Sequence, residues 1–491
     1  MTTPTYDVAI IGSGIAGMAT ALRLQAKGFS TVILEAHGQP GGCAGFFKRK
    51  GFAFDVGATT LVDFGATGVG GELFTSTNIP FPEADLLDYK LWLPDREVVM
   101  YHDKTLWNAE RLAKFGNTPN HIAFWKFLDH IASVFWNASR NGIKLPLQSI
   151  YDVLQAMRAV GVQNIFMARY LHWTLLDAMK KFNLQNDVPL RNALGMLVED
   201  TVHSTIDKAP LINAALGITI RGAGLQRAQG GMKGLWEHFT MHYKRLGGRL
   251  VVGNKVSEVS TIDAVFYLRG SKGIFQARKV VSAIPAEATY RIVPDTIQKR
   301  LDSFVKRDAK SLGGAIVVFL GVPEEEVINQ PITHHQLLQS YNEPFGNGNN
   351  MFISVSSSGD IKSAPAGYRA VMLSTHCPIQ EWEGLTDEAY EAKKESIGNH
   401  LLSLARRVYP DLGRNAVVYE VGTPRTYHKY TGRPQGAVGG VRQTFENSNL
   451  NALPHNIGVP NFWLAGDSTW PGLGTVACIL GSRIVADQVS G

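Results

Sequence analysis

The chain predicts an α/β fold built on a parallel sheet, and three observations carry that prediction. A β-branched run, "DVAII", leads straight into glycines in G-x-G-x-x-G spacing at Gly12, Gly14 and Gly17. A helical stretch, "MATALRLQAKG", closes at Gly28, and a second β-branched run, "STVILEA", carries Glu35 near its end. The far end repeats the pattern: "NFWLAGDSTWPGLGTVACILGSRIVADQ" reads as strand, glycine-rich loop and helix.

The first unit is a βαβ of the Rossmann type. Gly12 suits the tight turn, Gly14 lets the backbone approach a pyrophosphate, and Gly17 lets the helix pack close to the strand. The helix N-terminus offers free N–H groups and partial positive charge to that pyrophosphate. Glu35 stands 18 residues beyond Gly17, where a carboxylate binds ribose hydroxyls and disfavours a 2′-phosphate. NADP is therefore not expected. The next stretch, "GQPGGCAGFFKRKGFAFDVGATTL", places Gly41-Gly42 just past the second strand and then Asp55, Gly57 and Ala58. A glycine pair there resembles the motif of two-dinucleotide-binding-domain flavoproteins, in which it adds backbone contact to FAD. FAD is the expected cofactor.

Further along, "GGMKGLWEHFTMHYKRLGGRLVVGNKVSEV" reads as helix, turn and strand, with Val256 at a strand end. "ARKVVSAIPAEA" reads as a strand ended by Pro285, and "GGAIVVFLGV" from Gly313 as a buried strand. At the C-terminus the strand Phe462–Ala465 precedes Gly466 and Asp467, and a helix starts near Thr475. Asp467 at a strand end before a helix N-terminus suits a ribityl or pyrophosphate contact. The dinucleotide-binding domain is thus assembled from discontinuous pieces: 1–70, 225–290 and 450–491. A mixed α+β substrate domain takes 71–103, 200–224 and 291–449, and a helical subdomain, a candidate membrane face, takes 104–199.

Composition narrows the class. A chain of 491 residues, 45% apolar and 18% charged, implies two or three domains and a sizeable core. Cys43, Cys377 and Cys478 are scattered, so a reducing, cytoplasmic compartment without a disulfide framework is expected. No secretory leader and no apolar run of membrane-spanning length is read. Fourteen His show neither HxH nor HExxH spacing, so no metal site is expected. "NAS" at Asn137 matches a glycosylation sequon without meaning in that compartment. "GAGLQR" near Gly222 lacks a third placed glycine, and without a second fingerprint a pyridine-nucleotide reductase with its own NAD domain is not expected. The net charge is +6, and residues 104–181 alone carry ten Lys/Arg against four Asp/Glu, with eleven aromatics. That segment reads either as a solvated helical face or as a surface for an anionic membrane. Nothing matches a nucleic-acid module.

"GSGIAGMATALRLQAKGFSTVILEA", "PGGCAGFFKRKGFAFDVGAT", "GGMKGLWEHF" and "LAGDSTWPGLGTVACILGSRIVADQ" together resemble bacterial-type phytoene desaturases and their carotenoid isomerase relatives. The resemblance covers both ends and the middle. It implies cofactor contacts at Gly12, Gly14, Ile15, Ala16, Gly17, Glu35, Ala36, Gly42, Cys43, Ala58, Val256, Gly466, Asp467 and Val476. It leaves the catalytic side chains unassigned. Many such relatives carry Arg where this chain has Cys43, and losing that charge leans toward an isomerase or a later-acting desaturase. The implied partners are a hydrophobic polyene, a membrane surface reached peripherally, and a quinone or oxygen as electron acceptor. Two other readings stand beside it: an amine-oxidase-like flavin oxidase, and a polyene carrier without turnover.

For the substrate side, Met167, Leu171, Leu175, Met179 and Phe182 recur at helical spacing. They predict one amphipathic helix that serves either as core or as a lipid-facing entry. His203, Asp207 and Lys208, and then Arg425, Tyr427 and His428, are candidate cavity residues, each also readable as a cap or a surface cluster.

Overall fold

The computed structural model describes residues 4–491. Two seven-stranded sheets organise it. In the first sheet, Thr5–Ile11 lies between Thr31–Leu34 and Gly273–Ser282, parallel to both. Arg249–Val251 extends the parallel array on one side and Phe462–Leu464 pairs in parallel with Gly273–Ser282. Val256–Ile262 and Val265–Gly270 continue it as an antiparallel meander. Strands flanked on both faces read as continuous apolar runs, and every residue of Thr31–Leu34 is buried. One face carries the fingerprint helix Ile15–Ala26, which packs on the terminal helix Thr475–Ser490 and the central helix Gly231–Arg245. Gly28, just past the fingerprint helix, has φ +88° and closes it.

The second sheet runs, in spatial order, Val418–Gly422, Gly314–Pro323, Tyr368–Cys377, Asn350–Val355, His334–Leu338, Tyr89–Trp92 and Glu97–Met100. Gly314–Pro323 is buried over all but its last residue, as its uninterrupted apolar run predicts. Strands of the first sheet fall within 1–70, 225–290 and 450–491, and those of the second within 71–103 and 291–449.

A helical layer covers one end. Lys104–Phe115, Pro119–Arg140, Ile150–Val160, Leu175–Lys181, Val188–Val202 and Leu211–Thr219 build it around a core that includes Phe124, Leu128, Leu194 and Ala214. Leu211–Thr219 packs on Pro119–Arg140 and Val188–Val202, so the chain at 211–219 joins the helices. The single helix expected over Met167–Phe182 is not formed. A 3-10 segment, Val162–Tyr170, ends before Leu171, and a new helix starts at Leu175. Thr174 is the cause. Its hydroxyl accepts from Asp177 N while the Asp177 carboxylate accepts from Thr174 N at 2.9 Å, a reciprocal cap that starts a helix. Leu211 N also donates to Trp173 O at 2.7 Å, which takes that carbonyl out of any continuous helix. Met167, Leu175 and Met179 are buried in the core.

Candidate active site

One cavity of about 1140 Å³ runs between the two sheets. Its first half is built by the glycines. Gly12 has φ +94°, and a Cβ there would stand 2.8 Å from Ile284. A Cβ on Gly17 would stand 2.1 Å from Gly12 O, so this glycine sets how closely the helix meets the strand. Gly14 differs: a Cβ there would meet nothing within 4 Å, because it points into the cavity. Glu35 ties the loop down. Its Oε2 accepts from Ser13 N at 2.7 Å and Ser13 Oγ at 2.6 Å, and its Oε1 accepts from His37 N at 2.8 Å. The glycine pair crosses the same loop, with Gly41 N donating to Ser13 O at 3.2 Å. Trp236 of the central helix fixes the following turn by donating to Ala44 O at 2.6 Å.

Gly12, Gly14, Ile15, Ala16, Glu35, Ala36, Gly42, Cys43, Ala58, Val256, Gly466 and Asp467 all line this cavity. Gly17 and Val476 do not: Gly17 sits behind the loop, and Val476 packs against the helical cores. The residues fit a dinucleotide. Two helices, Ile15–Ala26 and Thr475–Ser490, begin on glycines with no side-chain cap, Gly14 and Gly474. Both glycines line the cavity, so two helix starts with orphan N–H groups open on one space, an arrangement that suits an anionic group.

Asp467 meets a partner that sequence reasoning missed. Its Oδ2 accepts from Arg433 Nη2 at 2.7 Å, and Arg433 also donates to Gly439 O at 2.8 Å. Burial works against the Arg433 charge, but Asp467 holds the guanidinium charged. Arg433 Nε is buried without a hydrogen-bond partner. Burial pushes the Cys43 thiol up against the pull of Arg433 beside it, so Cys43 stays neutral. A guanidinium from 390 residues further along the chain thus stands beside position 43.

The second half of the cavity is the face of the second sheet, with Ala315, Val317, Phe319, Phe352, Ser374 and His376. Of the other candidates, His203 and Tyr427 line the cavity and Asp207, Lys208, Arg425 and His428 do not. Tyr427 donates to Val56 O. Arg425 instead pairs with Asp387, and His428 Nδ1 meets Arg433 O at 2.9 Å. Among the described residues, no group of three or more His, Cys, Asp or Glu could hold a metal, and no helix is long and apolar enough to cross a membrane.

A family model of NAD(P)-binding Rossmann-like domains matches residues 10–75. The model of flavin-containing amine oxidoreductases matches residues 185–490, and the chain belongs to that family. It is a flavin-containing oxidoreductase. Among its relatives, the chloroplastic prolycopene isomerase of Daucus carota is 25% identical over 99% of this chain and 80% of that one. The lycopene-forming phytoene desaturase of a Paracoccus species is 25% identical over 98% and 96%. These two relatives are a carotenoid isomerase and a carotenoid desaturase, the kinds its sequence resembles. Solved structures share the fold: cyclohexylamine oxidase from Brevibacterium oxydans superposes with TM-score 0.62 at 16% identity, covering 99% of this chain and 100% of that one. Putrescine oxidase bound to putrescine gives 0.65 at 14%, covering 100% of both.

Proposed function

We propose that this chain binds FAD and acts on a long polyene, as a carotenoid desaturase or a cis-trans carotenoid isomerase. The observation that carries this reading is the cavity that the two sheets share. At about 1140 Å³ it exceeds the roughly 300–1,000 Å³ typical of a pocket for one small ligand. It joins a cradle of backbone N–H groups to an apolar sheet face, which suits a dinucleotide meeting a second, largely apolar molecule. The contacts to FAD fall to the fingerprint backbone at Gly14, Ile15 and Ala16, to Glu35 for ribose, to Gly466, and to Arg433 with Asp467 (proposal). When bound, the flavin supplies hydride or electron transfer. The chain's own part is to seat it, exclude water and hold the polyene against it. A quinone or oxygen is the proposed acceptor.

A polyene must be drawn from lipid, and the helical layer offers the surface. Ile150, Tyr151, Leu154 and Met157 on Ile150–Val160, with Val162, Ile165 and Phe166 after it, are exposed large apolar side chains in one stretch. Arg158 and Arg169 are exposed beside them. Apolar side chains flanked by cations suit peripheral docking on an anionic bilayer.

The test is to incubate the flavin-loaded protein with cis and trans polyenes in liposomes and analyse products by chromatography with mass detection. A product two hydrogens lighter than its substrate is desaturation; one of unchanged mass and new retention is isomerisation. The amine-oxidase reading has the shared fold of putrescine and cyclohexylamine oxidases in its favour. Bleaching of the flavin by amines, with polyenes inert, would decide for it.

A further inference from the structure

One wall of the cavity carries a charged cluster that seating a dinucleotide does not require. His376, on strand Tyr368–Cys377, lines the cavity. Its Nδ1 lies 2.7 Å from Glu199 Oε1 on helix Val188–Val202. The other Glu199 oxygen accepts from Asn350 Nδ2 at 3.0 Å. The carboxylate is therefore clamped between the helical layer and the sheet. His203 ends the same helix at φ +54° and sets its ring 4.6 Å from that of His376. Gly439 permits this, since a Cβ there would stand 2.4 Å from His203 Cε1. Placing charged groups against an apolar ligand costs free energy that neighbouring packing does not recover, and mere tethering of helix to sheet would not need the imidazole to face the cavity.

We infer that His376 is the proton-transfer group of this site and that Glu199 is its positioning residue. The inference rests on the polyene-oxidation branch of the reading above. In that branch one substrate C–H bond breaks with its electron pair and passes as hydride to the flavin, the oxidant. The neighbouring C–H bond then breaks, its electron pair becomes the new carbon–carbon π bond, and the proton goes to Nε2 of neutral His376. With Nδ1 committed to Glu199, Nε2 is the nitrogen left to meet a bound molecule, and Glu199 neutralises the imidazolium formed. The arrangement is that of a base oriented by a carboxylate.

The surrounding charges set the sign of the pH dependence. Burial opposes the His376 charge, but Glu199 first and the cavity-lining Asp200 second raise the group above its ordinary value against the opposing Arg442. Burial also opposes the Glu199 charge, yet His376, His203 and Asn350 bring its carboxyl below the usual range. His203 is pushed down to about 3, by burial first and His376 second, so it is neutral and His376 is the titrating member.

The experiment is anaerobic single-turnover bleaching of the flavin-loaded protein by polyene across pH, for wild type, H376Q and E199Q, with flavin content measured for each. H376Q is expected to keep its flavin and bleach on the order of 100-fold more slowly. E199Q is expected to move the acid limb of the pH profile to lower pH, since removing the carboxylate charge lowers the imidazole. A purely structural role would not move that limb. Histidine ring NMR supplies a readout independent of turnover: the His376 signal should titrate above the ordinary imidazole range and fall in E199Q. H376Q that bleaches like wild type, or an imidazole that E199Q does not shift, overturns the assignment. Should H376Q lose its flavin, the titration of wild type and E199Q decides alone. An isomerised product formed without bleaching would leave the polyene reading standing and overturn the role of His376. If polyenes are inert and amines bleach the flavin, the polyene reading falls. The same variants are then compared on the amine, which also releases a proton on losing hydride.

Discussion

Gly14 and Gly17 share one motif and do different work. A Cβ at position 17 would press on Gly12 O at 2.1 Å, whereas one at position 14 would enter open cavity. Gly17→Ala should therefore cost the apoprotein about 1–3 kcal/mol through overpacking. Gly14→Ala should leave the apoprotein's melting temperature unchanged and weaken flavin binding, because the methyl takes the ligand's space. Calorimetry of both apoproteins, followed by flavin titration, separates them. Both roles follow from the G-x-G-x-x-G spacing, since it fixes which glycine faces the strand. Arg433 is the opposite case. No local pattern marks it, because its partner Asp467 and its neighbour Cys43 come from opposite ends of the chain.

At the scale of elements, buried charge holds the central helix to the first half of the cavity. Asp55 and Arg227 are 5% and 3% exposed. Asp55 Oδ1 accepts from Met232 N at 2.8 Å at the helix start, and its Oδ2 accepts from Arg227 Nη1 at 2.5 Å. Asp55→Ala strands the guanidinium without its carboxylate and should cost about 3–5 kcal/mol, read as a lower urea midpoint. The helix Ile150–Val160 carries a prediction of another kind. Tyr151 is 78% exposed and Leu154 47%, so charge placed there disturbs no core. The double variant L154E/M157E should keep the wild-type melting temperature and lose co-sedimentation with anionic vesicles. Wild-type protein that ignores such vesicles would remove the docking surface from the proposal. The aromatic, basic character of this region is visible in the sequence. Its break at Thr174 is not, because the cap competes with an apolar period that continues through it.

Across the whole molecule, three histidines shielded from water set a pH limit on stability. Burial pushes His203 and His335 down to about 3 and His455 to about 4. His335 is held between Trp92 Nε1 at 3.1 Å and Tyr409 Oη at 2.9 Å. Below about pH 6.5 the unfolded chain takes up protons that the native state refuses, so stability falls as pH drops toward those native values. Each histidine contributes up to about 1.4 kcal/mol per pH unit. The raised His376 acts with the opposite sign, adding stability at acid pH, but it is one group against three. The melting temperature should therefore fall between pH 7 and pH 5, and His335→Gln, which keeps a donor and an acceptor, should make that fall shallower.

The sequence by itself determined the parallel sheet, the fingerprint turn and the flavoprotein class. The sheet and the turn rest on short-range rules, namely β-branched runs, helical spacing, and glycines at fixed intervals from one acid, and the flavoprotein class rests on the resemblance that the glycine pair carries. Most of the residues named from the rules and the resemblance share one cavity, and those of the first βαβ unit do so because such a unit carries its own geometry over about 30 residues. Only the tertiary structure decided what stands opposite. Glu199 and His376 are 177 residues apart, and Arg433 reaches Asp467 across a loop. Packing the helical layer and the second sheet against the first brings these groups together, and no periodicity along the chain encodes a contact made across it.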